Sequence, residues 1–211
     1  LLRSFFLLIF LIFNTTAHGA RYSILTWNTF LLPDYVKTTF HNARLPKIVN
    51  KLQATSYDFI LLQEVFTNSS FNKISLALKD LGYYSSGKPH RDILKPFNSG
   101  LVIFSKYPLS DIQMMSFDKL AHADALSSKG VLMATAILPD GKSVKVMTTH
   151  FQAKAGERYE SIRRSHIDQL EVLFNSSIDD TDLPVIFGGD FNIAKSYGAE
   201  FVDFIHAFDN L

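Results

Sequence analysis

The sequence has 211 residues, 47% hydrophobic and 19% charged, a composition ordinary for one globular domain with a sizeable core. Its 21 Lys and Arg against 20 Asp and Glu leave a net charge of +1. That excludes a field strong enough to steer the chain to nucleic acid or acidic lipid. With no cysteine, there is neither a disulfide framework nor a thiolate metal site, and packing alone must hold the fold.

Residues 1–19 read as a secretory signal. Arg3 precedes the apolar run Phe5 to Phe13, and Ala17-His18-Gly19 supplies small residues at a cleavage site near Gly19 or Ala20. The run is too short to span a bilayer, which takes roughly 20 apolar residues. Export without cysteine suits a bacterial secreted enzyme. Residues 20–211 are then expected to form the catalytic domain.

Tyr22 to Trp27 reads as a strand. Leu45, Ile48, Val49 and Leu52 recur at helical spacing. Asp58 to Gln63 is a short continuous apolar run, expected of a strand buried on both faces. Phe71, Ile74, Leu78 and Leu81 mark a second helix, closed by Gly82. "GLVIFS" is a further strand, punctuated by "KYP". Two β-rich runs flank Pro139-Asp140-Gly141-Lys142, which predicts a hairpin. "RYESIRRSHIDQLEVLF" predicts a long helix with Ile162, Leu170, Leu173 and Phe174 inward, and Pro184 to Phe187 a last strand. Strands interleaved with helices, plus one hairpin, predict an α/β fold with mixed sheets.

Four of these strands end in a polar group: Asn28, Glu64, His150, and the run Gly188-Gly189-Asp190-Phe191-Asn192. Taken singly, a carboxylate at a strand end is usually a solvated loop residue, a lone histidine usually structural, and Gly-Gly-Asp usually a turn. Together, on one edge of packed sheets, they would form one preorganised cluster. Its oxygen-rich inventory suits a hard cation, magnesium before zinc. The twin glycines are expected to turn the backbone tightly and bring it close to substrate.

"LTWNTFLLP", "DFILLQEVF", "NSGLVIFSKYPL", "LSSKGVLMATAI", "THFQA" and "VIFGGDFNI" occur in the order of the endonuclease–exonuclease–phosphatase superfamily. "GGDFN" and "LQEVF" resemble that superfamily as a whole. "THFQA" and the "SSKGV" loop resemble its bacterial sphingomyelinase C group, and the resemblance runs from Tyr22 to about Asn192. It implies a four-layer α/β sandwich, two packed mixed sheets flanked by helices, and magnesium-dependent hydrolysis of sphingomyelin to ceramide and phosphocholine. The implied partner is sphingomyelin in a membrane, met peripherally, with neither nucleic acid nor an obligate protein partner.

Position by position, the resemblance makes Glu64 a metal ligand and puts Asn28 close to metal and phosphate. It makes His150, Asp190 and Asn192 catalytic, with His150 supporting the phosphate and Asp190 and Asn192 orienting water and substrate. Asp124, in "HADALSS", resembles a substrate-side contact. The family's closing Ser-Asp-His motif, source of the general base, is expected past Leu211. The C-terminal part of the fold is thus expected to be missing, and the 211 residues alone inactive. His206 lacks the adjoining Asp-His pair and is no substitute. The rival readings are another phosphodiesterase, nuclease or phosphatase of the superfamily, and a catalytically incomplete membrane-binding remnant.

Overall fold

In a computed structural model, residues 21–178 and 183–209 are described. The expected signal segment lies outside them. The elements in chain order are β1 (Ile24–Leu31), α1 (His41–Gln53), β2 (Phe59–Val65), α2 (Asn68–Lys79), β3 (Tyr84–Ser85), β4 (Val102–Ser105) and β5 (Leu109–Ser116). Then come a 3-10 turn (His122–Leu126), β6 (Gly130–Ile137), β7 (Ser143–His150), α3 (Glu157–Ile178), β8 (Val185–Asp190), a second 3-10 turn (Lys195–Tyr197) and α4 (Ala199–Asp209).

The strands form two four-stranded mixed sheets, ordered β1-β2-β4-β3 and β5-β6-β7-β8. In each, one pair is parallel, β1 with β2 and β7 with β8, and the other pairs are antiparallel. Three hydrophobic clusters separate four layers. Leu45, Ile48 and Leu52 of α1 and Phe71, Ile74 and Leu78 of α2 pack on Ile60 and Leu62 of β2. Leu170 and Phe174 of α3 and Phe204 of α4 pack on Val131, Met133 and Met147 of the second sheet. Between the sheets, Phe59, Leu61 and Ile103 meet Leu132, Ala134, Val144 and Val146. The architecture is the α/β sandwich expected, and fully burying each such side chain contributes about 1.5–3 kcal/mol.

The two-residue period of a strand explains why β2 reads as uniformly apolar. Phe59 and Leu61 face the other sheet, while Ile60 and Leu62 face the helices. Carried upward, the same alternation points Thr26, Gln63 and Thr148 into the space between the sheets. There Gln63 Nε2 donates to Thr26 Oγ1 at 3.2 Å and, across the interface, to Thr148 Oγ1 at 3.0 Å. Above this polar tier lie the strand ends.

Three local expectations change. β8 runs straight through Gly188 and Gly189, which take no left-handed turn. A Cβ on Gly188 would come within 3.1 Å of Leu61 Cδ1 in the opposite sheet, and one on Gly189 within 2.3 Å of the Thr149 carbonyl oxygen. The glycines serve close packing of strand and sheet rather than a turn. Leu81 lies beyond α2 and is exposed. β5, whose side chains are half-buried or exposed and alternate poorly, has no counterpart in the sequence reading.

Candidate active site

Glu64, His150 and Asp190 stand at the ends of β2, β7 and β8 and converge with Asn28, which lies within β1 where its pairing with β2 turns irregular. Asn28 Nδ2 donates to Glu64 Oε1 at 2.7 Å and to Asp190 Oδ2 at 2.8 Å, tying the two carboxylates together. His150 Nε2 is 3.9 Å from Glu64 Oε1 and 3.7 Å from Asp190 Oδ2. Asn192 donates its backbone N–H to Asp190 Oδ1 at 3.0 Å and its side-chain amide to the Phe151 carbonyl at 3.0 Å.

The backbone is bent to make this possible. Phe30, Glu64 and Asn192 all sit in the left-handed region, with φ of 50°, 60° and 52°. Such a conformation costs a non-glycine residue about 1–2 kcal/mol and clusters at functional sites. The β1–β2 register is irregular between Asn28 and Leu31. By strand alternation Glu64 would face the helices with Ile60 and Leu62; its φ re-aims the carboxylate toward Asn28.

One residue of this geometry lies in the "SSKGV" loop but has no role assigned from sequence. Lys129, buried just before β6, pairs with Asp124 at 2.9 Å, donates to the Phe151 carbonyl at 2.9 Å and lies 3.1 Å from His150 Nε2. A lysine fully buried against an apolar strand is unusual enough to be a signal. Gln152 was missed as well. Its Oε1 accepts from Ala121 N–H at 2.7 Å, and its Nε2 donates to Asp124 Oδ2 at 2.9 Å.

The polar atoms of Asp124 and Asn28 are engaged by neighbouring residues. Asp124 has one oxygen on Lys129 and the other held by Gln152 and the Ala153 N–H, at 2.7 Å for the latter. It anchors the lysine. Asn28 gives its amide hydrogens to the carboxylates, while its oxygen accepts from Phe30 N–H at 2.9 Å. It thereby ties the acidic pair together at a fixed spacing. His206, on α4, is exposed.

The electrostatics divide the acids. Burial pushes the Glu64 carboxyl up from its usual value, and the Asn28 amide and Lys129 charge only partly offset it. Burial would raise Asp190 too, but His150, the Asn28 amide and the Asn192 N–H outweigh it and hold Asp190 down. Burial, then the Lys129 charge, pushes the His150 imidazole below its usual value, against the pull of Asp190.

Glu64 Oε2 is buried and, among the described residues, has no hydrogen-bond partner. A buried carboxylate oxygen without a partner costs about 1–3 kcal/mol or more, and a cation would satisfy it. No group of three or more His, Cys, Asp or Glu among the described residues forms an all-protein metal cage. Glu64 with Asp190 nearby is the partial oxygen set that fits magnesium, which keeps waters and binds through one or two carboxylates.

The sequence profile of the Endonuclease/Exonuclease/phosphatase family matches residues 25–199, a stretch that carries every residue of the cluster. The chain belongs to that family. Within the Endonuclease/Exonuclease/phosphatase family its relatives include sphingomyelin phosphodiesterase 5 of Danio rerio, 28% identical over 76% of this chain and 33% of that protein. Sphingomyelinase C of Bacillus cereus is 25% identical over 86% of this chain and 60% of that protein. The chain thus spans from a third to three fifths of these curated relatives. The sphingomyelinase C structure from Streptomyces griseocarneus superposes with a TM-score of 0.76 at 21% identity, over 90% of this chain and 70% of that one. A Staphylococcus aureus beta toxin structure with bound magnesium ions gives 0.79 at 20% identity, over 89% and 70%. The resemblance to the sphingomyelinase group is borne out, and the fold is that family's sandwich.

Proposed function

We propose that this protein is a secreted, divalent-metal-dependent phosphodiesterase that hydrolyses sphingomyelin to ceramide and phosphocholine. The observation that carries the chemistry is Glu64: its Oε2 is buried with no hydrogen-bond partner among the described residues, while its Oε1 shares the Asn28 amide with Asp190 and lies 3.9 Å from His150 Nε2. The substrate class follows from the relatives named sphingomyelinase.

Glu64 would hold the metal, magnesium by donor chemistry, with Asp190 beside it. When bound, the metal polarises a phosphoryl oxygen and offsets charge on the leaving oxygen. Asn28 keeps the two carboxylates at a fixed spacing, so the acidic pair is preorganised before any ligand arrives. Asp190 orients the attacking water, and Asn192 fixes Asp190 through its backbone N–H. Lys129, buried 3.1 Å from His150 Nε2, brings a positive charge to the side where negative charge grows on the phosphoryl group.

Export rests on Arg3, the Phe5–Phe13 run and Ala17-His18-Gly19. Amino-terminal sequencing of the mature protein should begin near Ala20. The deciding assay follows phosphocholine release from sphingomyelin vesicles by the full natural chain, with magnesium and with chelator. Magnesium-dependent release is expected. Cleavage of DNA or of simple phosphomonoesters without sphingomyelin turnover would overturn the substrate while leaving the family intact.

A further inference from the structure

Ile93 and Leu94 are 92% and 93% exposed, the highest values among large apolar side chains of the described residues. They are adjacent, at the centre of a turn closed by the Lys95 N–H on the Asp92 carbonyl at 3.0 Å. Exposed turns ordinarily use Gly, Asn, Asp, Pro or Ser, each for a backbone reason. Neither isoleucine nor leucine has such a reason here.

The turn is also held rigidly. Asp92 N–H donates to Ser128 Oγ at 2.9 Å, and the Asp92 carboxylate receives Ser116 Oγ and pairs with His90 at 2.9 Å. Lys95 Nζ donates to the Ser127 carbonyl at 2.9 Å, and Phe97 N–H to that of Leu126 at 3.0 Å. A base pinned on both arms cannot fold its apolar tip back onto the protein. Around the tip, Lys88, Arg91 and Lys95 outnumber Asp92, the lone acid between Gly87 and Phe97.

The base of the turn is built on the site. Ser127 and Ser128 directly precede Lys129, and Gly100, just past the loop, packs so closely on Glu64 that an added Cβ would lie 3.0 Å from the Glu64 Cα. An apolar tip in a basic collar matches the bilayer interface, where side chains enter the acyl boundary and cations meet headgroup phosphates. We propose that the Asp92–Lys95 turn is a membrane wedge that inserts Ile93 and Leu94 into a phosphatidylcholine–sphingomyelin bilayer and brings the carboxylate pocket to the headgroup layer. The choice of a bilayer as partner rests on the sphingomyelinase reading.

The test uses the full natural chain, in chelator, partitioning onto phosphatidylcholine–sphingomyelin vesicles. The double variant Ile93→Ser with Leu94→Ser places turn-compatible residues at the tip and should bind about tenfold more weakly or worse. Val172→Ser, which removes an exposed apolar side chain from α3, should bind as the parent does. In magnesium, the double variant should hydrolyse sphingomyelin dispersed in detergent micelles at close to the parental rate. Unchanged vesicle binding by the double variant, equal weakening by Val172→Ser, or no binding by the parent would each overturn the wedge. So would a parental dimer that the double variant dissociates, since the tip would then be a contact between copies. If vesicle binding falls only in the double variant but no protein cleaves micellar sphingomyelin, the wedge stands and the sphingomyelinase reading falls.

Discussion

Glu64 carries a cost in the metal-free protein that its function would require. Its carboxyl is raised by burial and one oxygen has no partner among the described residues. Glu64→Gln should therefore abolish metal-dependent turnover while stabilising the metal-free fold by about 1 kcal/mol, read as a higher midpoint in urea. The parent, but not the variant, should gain stability on adding magnesium, because a ligand that binds only the native state stabilises it. Lys129→Met poses the complementary question. It strands Asp124 as a buried charge, so a loss of about 3–5 kcal/mol is expected. Lys129→Met with Asp124→Leu should recover much of that stability yet stay inactive; recovered turnover would remove the lysine from the chemistry.

Residues of the first kind were legible in the sequence and residues of the second kind were not. Asn28, Glu64, His150 and Asp190 each stand where an apolar run stops, and a run's end is visible in one dimension. Lys129 and Gln152 both meet Asp124, a residue five positions before one and 28 before the other. Nothing in local period or turn chemistry marks such a three-way contact. The left-handed Glu64 was invisible for a related reason: the residue type favours no such φ, and the site imposes it.

At the scale of elements, α3 and α4 are joined by a buried ion pair. Arg163 is fully buried, donates to both carboxylate oxygens of Glu200, at 2.8 Å from Nη2 to Oε2, and reaches the carbonyls of Gln152 and Lys154 at 3.2 and 2.6 Å. Glu200→Ala leaves that guanidinium uncompensated and should cost about 3–5 kcal/mol. Because Arg163 also caps the turn after β7, activity should fall more than stability alone explains when both are measured below the unfolding transition. β8 adds a steric constraint. Gly189→Ala drives a methyl toward the Thr149 carbonyl and must displace β8 from β7. Turnover should drop at least tenfold with the helical signal in circular dichroism retained. The sequence showed two glycines and suggested a turn, because glycine's freedom is a property of the residue, whereas close strand packing is a property of its neighbours. β5 went unread for the same kind of reason: an edge strand with one poorly buried face carries little alternation.

The whole molecule should weaken in mild acid. His166, stacked on Phe117 at 3.8 Å and bonded through Nε2 to the Lys119 carbonyl at 2.8 Å, is lowered by burial to about 4. An unfolded histidine titrates near 6.5, so the unfolded chain takes up the proton first. Stability is then full above about pH 6.5 and lost as pH falls toward 4, by about 3 kcal/mol for this group. Urea midpoints measured from pH 7 to 4 should show that slope, and His166→Phe should remove its share, leaving that of the likewise lowered His150, at a neutral-pH cost of about 1 kcal/mol for the lost hydrogen bond.

Asn28 belongs to one sheet and Asp190 to the other, and the amide that joins them spans the same interface as Gln63 and Thr148 below. The pocket is thus a seam rather than a hollow in a wall. Its two halves acquire their spacing only when the sheets dock in register, so a slip of an ångström would unfasten the carboxylates before it exposed the core. A ligand gripping both sides would act as a rivet, and slowed amide exchange should spread down β1 and β8 together from the point where it binds.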